Sequence, residues 1–121
     1  MQRDLYDTNI LIDFWKKKKR DISGYTTIFN IIEFPKALLM KNLTVLYPTI
    51  DDFNEAVKIS QKLMKQGKLV DVADIVVACI ASRHDLTLVT TDTDFNNIKS
   101  CLLYTSPSPR DRTRSRMPSS A

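Results

Sequence analysis

Leu86-Thr87-Leu88-Val89-Thr90-Thr91-Asp92-Thr93-Asp94-Phe95 is the stretch on which the fold reading turns. Residues 86–90 run Leu, Thr, Leu, Val, Thr, close to the two-residue period of a strand. Carboxylates follow at once, and residues 92–98 then read as a helix start. The N-terminus repeats the arrangement: Arg3–Tyr6 reads as a short strand, Asp7 ends it, and residues 8–19 read as a helix with Ile10, Leu11, Phe14 and Trp15 on one side. Leu43–Tyr47 is a further strand candidate, stopped by Pro48. Strands separated by helices require crossover connections, which build a parallel sheet covered on both faces. In such sheets functional residues collect at the carboxyl ends of the strands, and Asp7 and Asp92 both stand there.

The connecting segments are predominantly helical. Thr26-Thr27 marks a helix start, with Ile28, Ile31, Ile32, Phe34 and Leu38 following, and Pro35 forces a bend or a break. Thr49 caps a helix that carries Asp51 and Asp52 in its first turn. That helix runs to Lys65 with Phe53, Ala56, Val57, Ile59, Leu63 and Met64 as its inner face, and Gly67 ends it. Val70–His84 is too continuously apolar for a surface helix, and Asp71 is expected to cap it. The five cations Lys16–Arg20 complement the dipole at a helix C-terminus; contact with an RNA phosphate is the alternative role.

Asp7, Glu33, Asp74 and Asp92 each sit beside or within an apolar run. An unpaired carboxylate taken out of water costs several kcal/mol, so four such acids imply that the fold gathers them around something positive. A divalent metal is the common solution. His84 is a lone histidine read as structural, and Asp13 as a surface acid. There is no Ser/Cys–His nucleophile arrangement and no Gly-rich phosphate loop, since Gly24 and Gly67 are the only glycines.

The bulk properties fit one compact domain. Of 121 residues 43% are hydrophobic, enough for a real core. The net charge of +4 is concentrated at the end, because residues 1–100 hold 14 Lys and Arg against 13 Asp and Glu. The basic balance is therefore weak evidence for nucleic-acid binding. Residues 101–121 change character, from Ser106-Pro107-Ser108-Pro109 to Arg116-Met117-Pro118, and read as a low-complexity basic tail foreign to the domain or without fixed structure. Residues 1–100 are the expected domain. Cys79 and Cys101 have no metal or redox spacing, and Cys79 is expected as a buried thiol. No apolar leader precedes Asp7 and no run approaches the ~18 apolar residues of a membrane span, so a cytoplasmic protein without a membrane partner is expected.

Four motifs together resemble the PIN domains, the ribonuclease fold of VapC-type toxins. They are Leu5-Tyr6-Asp7-Thr8-Asn9-Ile10-Leu11-Ile12-Asp13, Tyr25-Thr26-Thr27-Ile28-Phe29-Asn30-Ile31-Ile32-Glu33, Val72-Ala73-Asp74-Ile75-Val76-Val77-Ala78-Cys79-Ile80-Ala81, and Leu88-Val89-Thr90-Thr91-Asp92-Thr93-Asp94-Phe95. The resemblance implies a three-layer α/β/α PIN-like fold with a central parallel sheet, in a small member lacking its normal last strand. Leu102–Thr105 is a poor replacement for that strand. It also implies a divalent-metal-dependent endoribonuclease, the toxin of a toxin–antitoxin pair, with an RNA substrate, an antitoxin partner and a homodimeric state. Asp7 and Asp74 would hold Mg²⁺ or Mn²⁺ directly, and Glu33 and Asp92 directly or through water. Thr8, Asn9, Thr91 and Asp94 would orient those groups.

Two other classes compete. A non-catalytic PIN-like module binding metal or RNA would show the same acids without turnover. A receiver-like phosphoacceptor domain also clusters aspartates on a parallel sheet, but it needs a Lys at a late strand end where this chain has Thr90-Thr91-Asp92.

Overall fold

The structure is a computed structural model and describes residues 3–105. Of the expected tail over residues 101–121, residues 101–105 continue the last helix and residues 106–121 lie outside the described residues. The elements run β1 (Asp4–Tyr6), α1 (Thr8–Lys16), β2 (Asp21–Thr27), α2 (Ile28–Glu33), a short 3-10 helix (Pro35–Leu39), β3 (Lys41–Leu46), α3 (Ile50–Lys65), α4 (Val72–Arg83), β4 (Thr87–Val89) and α5 (Asp94–Thr105). The four strands form one sheet in the order β3-β2-β1-β4, every neighbouring pair parallel.

Side-chain alternation along the short central strands feeds two cores. Leu5 and Leu88 point into a cluster with Ala56, Ile59 and Leu63 of α3, Ile75–Ala81 of α4, and Phe95 and Ile98 of α5. Tyr6 points the other way, joining Leu11 of α1, Ile22, Ile31 of α2, Ala37 and Met40, with Val89 packed against them. The sheet is thus sandwiched between α3–α5 and α1–α2, a three-layer α/β/α domain. The run Ile75–Ala81 is buried at every position, which explains its lack of a polar face. Burial pushes the Cys79 thiol up to about 12, with the charges of Glu55 and Asp52 adding to it, so it stays an inert thiol.

Several sequence expectations need correction. Strand β2 has no counterpart among the expected strands: Asp21-Ile22-Ser23-Gly24-Tyr25-Thr26-Thr27 holds a glycine and little aliphatic side chain, yet it lies second in the sheet. Tertiary pairing overrides its weak propensity. The third strand is Lys41–Leu46, shifted from Leu43–Tyr47, and it lies at one edge of the sheet. Leu102–Thr105 is helical, part of α5, and is no substitute for a strand. Helix α3 buries Ala56, Ile59 and Leu63 together with Asp52, whereas Phe53, Val57 and Met64 are exposed. Asp71 stands at the N-cap of α4 but its side chain makes no capping bond.

Thr27 and Thr49 cap their helices as expected, and Pro35 ends α2 and begins the 3-10 turn. The cations after α1 mostly serve its C-terminus. Lys17 pairs with Asp13 at 3.0 Å, and Lys19 lies over Phe14. The Arg20 guanidinium stacks on Trp15 at 3.4 Å and donates to the Trp15 carbonyl.

Gly24 is required by close approach. Its φ is +155°, and a Cβ there would lie 2.7 Å from Cε2 of Tyr6 and 3.2 Å from the Asp4 carbonyl oxygen. Tyr6 is itself buried in the second core, so the ring has little room to retreat. Gly24→Ala should therefore destabilise the protein by about 1–3 kcal/mol, as overpacking does. Chemical denaturation would read this as a lower midpoint; an unchanged midpoint would show that the β1–β2 contact yields without cost.

Candidate metal centre

The topology delivers acids to one rim. β1 ends at Tyr6 and hands Asp7 to the start of α1, whose first turns close on the Asp7 carbonyl. β2 ends at Thr27 and passes into α2, which carries Asn30 and Glu33. β4 ends at Val89 and is followed by Thr90, Asp92 and Asp94, and α4 brings Asp74 in its first turn. Because every strand is parallel, all of these lie at the carboxyl edge of the sheet.

The carboxylate oxygens of Asp74, Asp92 and Asp94 lie within 4.8 Å of one another. Asp94, expected as an orienting group, thus lies beside two of the expected metal-holding acids. Asp7 is outside that trio but close enough for its charge to act on Asp74, as do those of Glu33 and Asp92. The Asp74 carboxyl is pushed up to about 7, first by burial and then by Asp92, Asp7, Asp71 and Glu33. Asp7 is 7% exposed, and its pKa is raised too. Burial is the main cause, opposed by hydrogen bonds from Thr90 and the Thr8 N–H, and reinforced by the charges of Asp92 and Glu33.

Polar groups hold these acids in place. Asp7 sits at the N-cap position of α1 but makes no side-chain capping bond. Its Oδ1 accepts from Asn30 Nδ2 at 3.1 Å and its Oδ2 from the Thr90 hydroxyl at 2.7 Å. Thr90 Oγ1 in turn accepts from the Asp92 N–H at 3.0 Å. Thr8 donates to Glu33 Oε1 at 2.5 Å. Asp92 Oδ1 accepts from the Asp94 N–H at 2.9 Å. Asn9 and Thr91 do not bond the acids; they face each other across a long 3.5 Å contact.

The residues that the sequence reading missed are Asn30, 2% exposed, and Thr90, fully buried. For Asn30 a signal existed, since Thr27-x-x-Asn30 has the spacing of a helix capping box.

The site suits a hard divalent cation. Its donors are carboxylate oxygens, they converge from separate elements, and burial together with the neighbouring acids pushes the Asp74 carboxyl up to about 7, a cost that a bound cation would relieve. Asp7, Glu33, Asp74, Asp92 and Asp94 are the residues available to hold such an ion.

Comparison with known proteins agrees with this arrangement. No curated protein sequence matches the chain. Among solved structures it is similar to VapBC2 from Rickettsia felis bound to a promoter DNA fragment, at 15% identity and a TM-score of 0.64, covering 78% of this chain and 92% of that one. It is similar to VapBC-1 from nontypeable Haemophilus influenzae at 21% identity and a TM-score of 0.64, covering 80% and 92%. FitAcB from Neisseria gonorrhoeae matches at 19% identity and a TM-score of 0.59, covering 79% and 93%. At such identities these are likenesses of fold. The PIN domain family pattern matches residues 29–100, a span that includes Glu33, Asp74, Asp92 and Asp94, while Asp7 enters the same rim from β1 just ahead of it. With more than half of its length matched and the parallel α/β/α architecture in place, the chain belongs to the PIN domain family.

Proposed function

We propose that this chain is a divalent-metal-dependent endoribonuclease and the toxin of a toxin–antitoxin pair, restrained by a cognate antitoxin and acting as a homodimer in the cytoplasm. The observation that carries the reading is the convergence of Asp74, Asp92 and Asp94 with Asp7 and Glu33 on one rim of a PIN domain. The toxin role is supported by the similar folds of VapBC2 and VapBC-1, and among the described residues no helix is long and apolar enough to cross a membrane.

In this reading Asp7, Asp74, Asp92 and Asp94 hold the metal, and Glu33 faces the same centre from α2. When bound, Mg²⁺ or Mn²⁺ supplies an activated water at neutral pH and neutralises charge growing on the phosphate. The protein's own contribution is to fix the carboxylates before substrate arrives. Asn30 and Thr90 occupy both oxygens of Asp7, Thr8 aims Glu33, and the Thr90 hydroxyl ties the backbone of Asp92 to Asp7. Such outer partners commonly change metal affinity or activity by about 10–100-fold.

The test is incubation of the full chain with single-stranded and structured RNA in Mg²⁺ or Mn²⁺. Internal cleavage that stops in excess chelator is expected. Cleavage that survives the chelator, or that persists when Asp7 and Asp74 are both changed to Asn, overturns the reading.

A further inference from the structure

Two helices of this domain open on the same device with one difference. At α3 the Thr49 hydroxyl accepts from the Asp52 N–H, and Asp52 Oδ2 accepts from the Thr49 N–H at 2.9 Å. The Asp52 carboxylate also receives Nε and Nη2 of Arg83, at 2.8 and 2.9 Å. At α2 the Thr27 hydroxyl accepts from the Asn30 N–H, and Asn30 Oδ1 accepts from the Thr27 N–H at 3.3 Å and the Thr27 hydroxyl at 2.7 Å. Both residues at the third helical position do the same capping work. A carboxylate suffices at α3, yet α2 uses an amide.

The reason lies on the far side of the amide. A backbone N–H can only donate, so Thr27 fixes which end of Asn30 is the oxygen. Nδ2 is thereby turned toward Asp7 Oδ1 at 3.1 Å and Thr8 Oγ1 at 2.9 Å. Thr8 has one hydroxyl proton. Because its oxygen accepts from Asn30, that proton is free to go to Glu33 Oε1. A carboxylate at position 30 would cap α2 equally well, but it would set two buried acids against each other.

We propose that Asn30 is a positioning residue of the metal centre, one buried amide that orients Asp7 directly and Glu33 through Thr8. The proposal rests on the metal-dependent nuclease reading for its purpose, but its geometry is testable without metal or RNA. A plain capping role and a positioning role differ in one respect: only the second couples position 30 to position 7.

The experiment is a double-mutant cycle on the metal-free full chain, melting wild type, Asn30→Asp, Asp7→Asn and the reciprocal double variant. Asn30→Asp keeps the cap and replaces the donor with a charge, and should lower Tm by about 5 °C or more. In the Asp7→Asn background the same change should cost much less, since the amide introduced at position 7 can donate to the carboxylate introduced at position 30 while accepting from Thr90. Equal losses in both backgrounds overturn the proposal. If Asn30→Asp does not fold, the side-chain NH₂ resonances of Asn30 serve instead: they should move on Asp7→Asn, and unchanged resonances overturn the proposal. With Mn²⁺ and RNA, Asn30→Asp should lower kcat about 10–100-fold with KM within about twofold. A wild-type chain that cleaves no RNA would instead overturn the nuclease reading, leaving the coupling between positions 7 and 30 intact.

Discussion

Asp74→Asn should give a protein that melts no lower than wild type without metal, yet loses metal-dependent RNA cleavage by about 100-fold or more, the upper end of what outer partners alone produce. Asp74 stands among Asp92, Asp94, Asp7 and Glu33, so in the metal-free fold its charge is a cost. Asparagine keeps the shape and removes that charge. A metal that binds only the folded state at about 100 times its dissociation constant adds about 2.7 kcal/mol by mass action, and the variant should lose most of this gain. The same residue sets a pH dependence. Its folded pKa is raised from 3.8 to about 7, so between those values the native state holds a proton that the unfolded chain has released. Stability of the metal-free protein is therefore highest below about pH 4 on this account, and falls as pH rises through about 7. Asp74→Asn should flatten that slope. Full metal-dependent cleavage by Asp74→Asn would place the centre elsewhere.

Arg83→Ala should lower stability measurably although Arg83 lies away from the acidic rim. Asp52 is 2% exposed, and Arg83 bonds both of its oxygens while also donating to the Tyr47 carbonyl. The Asp52 pKa is lowered overall, the hydrogen bond and charge of Arg83 and the Thr49 bonds outweighing burial. Breaking a fully buried pair costs about 3–5 kcal/mol. The Arg83 side chain is 34% exposed, so water can partly replace it, and about 2 kcal/mol is the better expectation. For a domain of this size that lowers Tm by about 10 °C. Since the Asp52 pKa is depressed in the fold, this stability is present above its unfolded pKa near 4 and vanishes as pH falls through the folded value. Melts of wild type and Arg83→Ala at pH 7 and pH 3 measure the difference; an equal gap at both would assign the loss to packing alone.

The sequence disclosed the ends of strands better than the strands themselves. Asp7, Glu33, Asp74 and Asp92 stand out because each is an acid where a core segment ought to be apolar, and the structure brings all four to one rim. Strand β2 escapes notice because Ser23, Gly24 and the paired threonines have little hydrophobic signature; its place is set by pairing with β1 and β3, which a local window does not contain. Asp94 reads as an orienting group because a helix start also explains an acid there, and the turn closed by the Asp94 N–H on Asp92 leaves it exposed but beside the carboxylates of Asp74 and Asp92. Phe53, Val57 and Met64 fit a helical stripe equally well on either side of α3, and Asp52 tips the choice, because its bond to Arg83 turns that flank toward α4. Asn30 carries a visible capping signature, but its second role depends on Asp7, which lies 23 residues earlier.

The sheet order has a consequence for the timing of synthesis. Strand β1 is bounded by β2 on one side and β4 on the other, and β4 arrives more than eighty residues later, Leu5 registering with Leu88. Thr90, which holds Asp7, and Asp92 and Asp94, which complete the acidic trio, all emerge with or after that last strand. At about 5–20 residues per second, a ribosome takes roughly 4–17 s to travel from Asp7 to Thr90. Throughout that interval the nascent chain has Asp7 but none of its late partners. On the nuclease reading proposed above, the chain therefore stays inert beside the messenger that encodes it until β4 has docked.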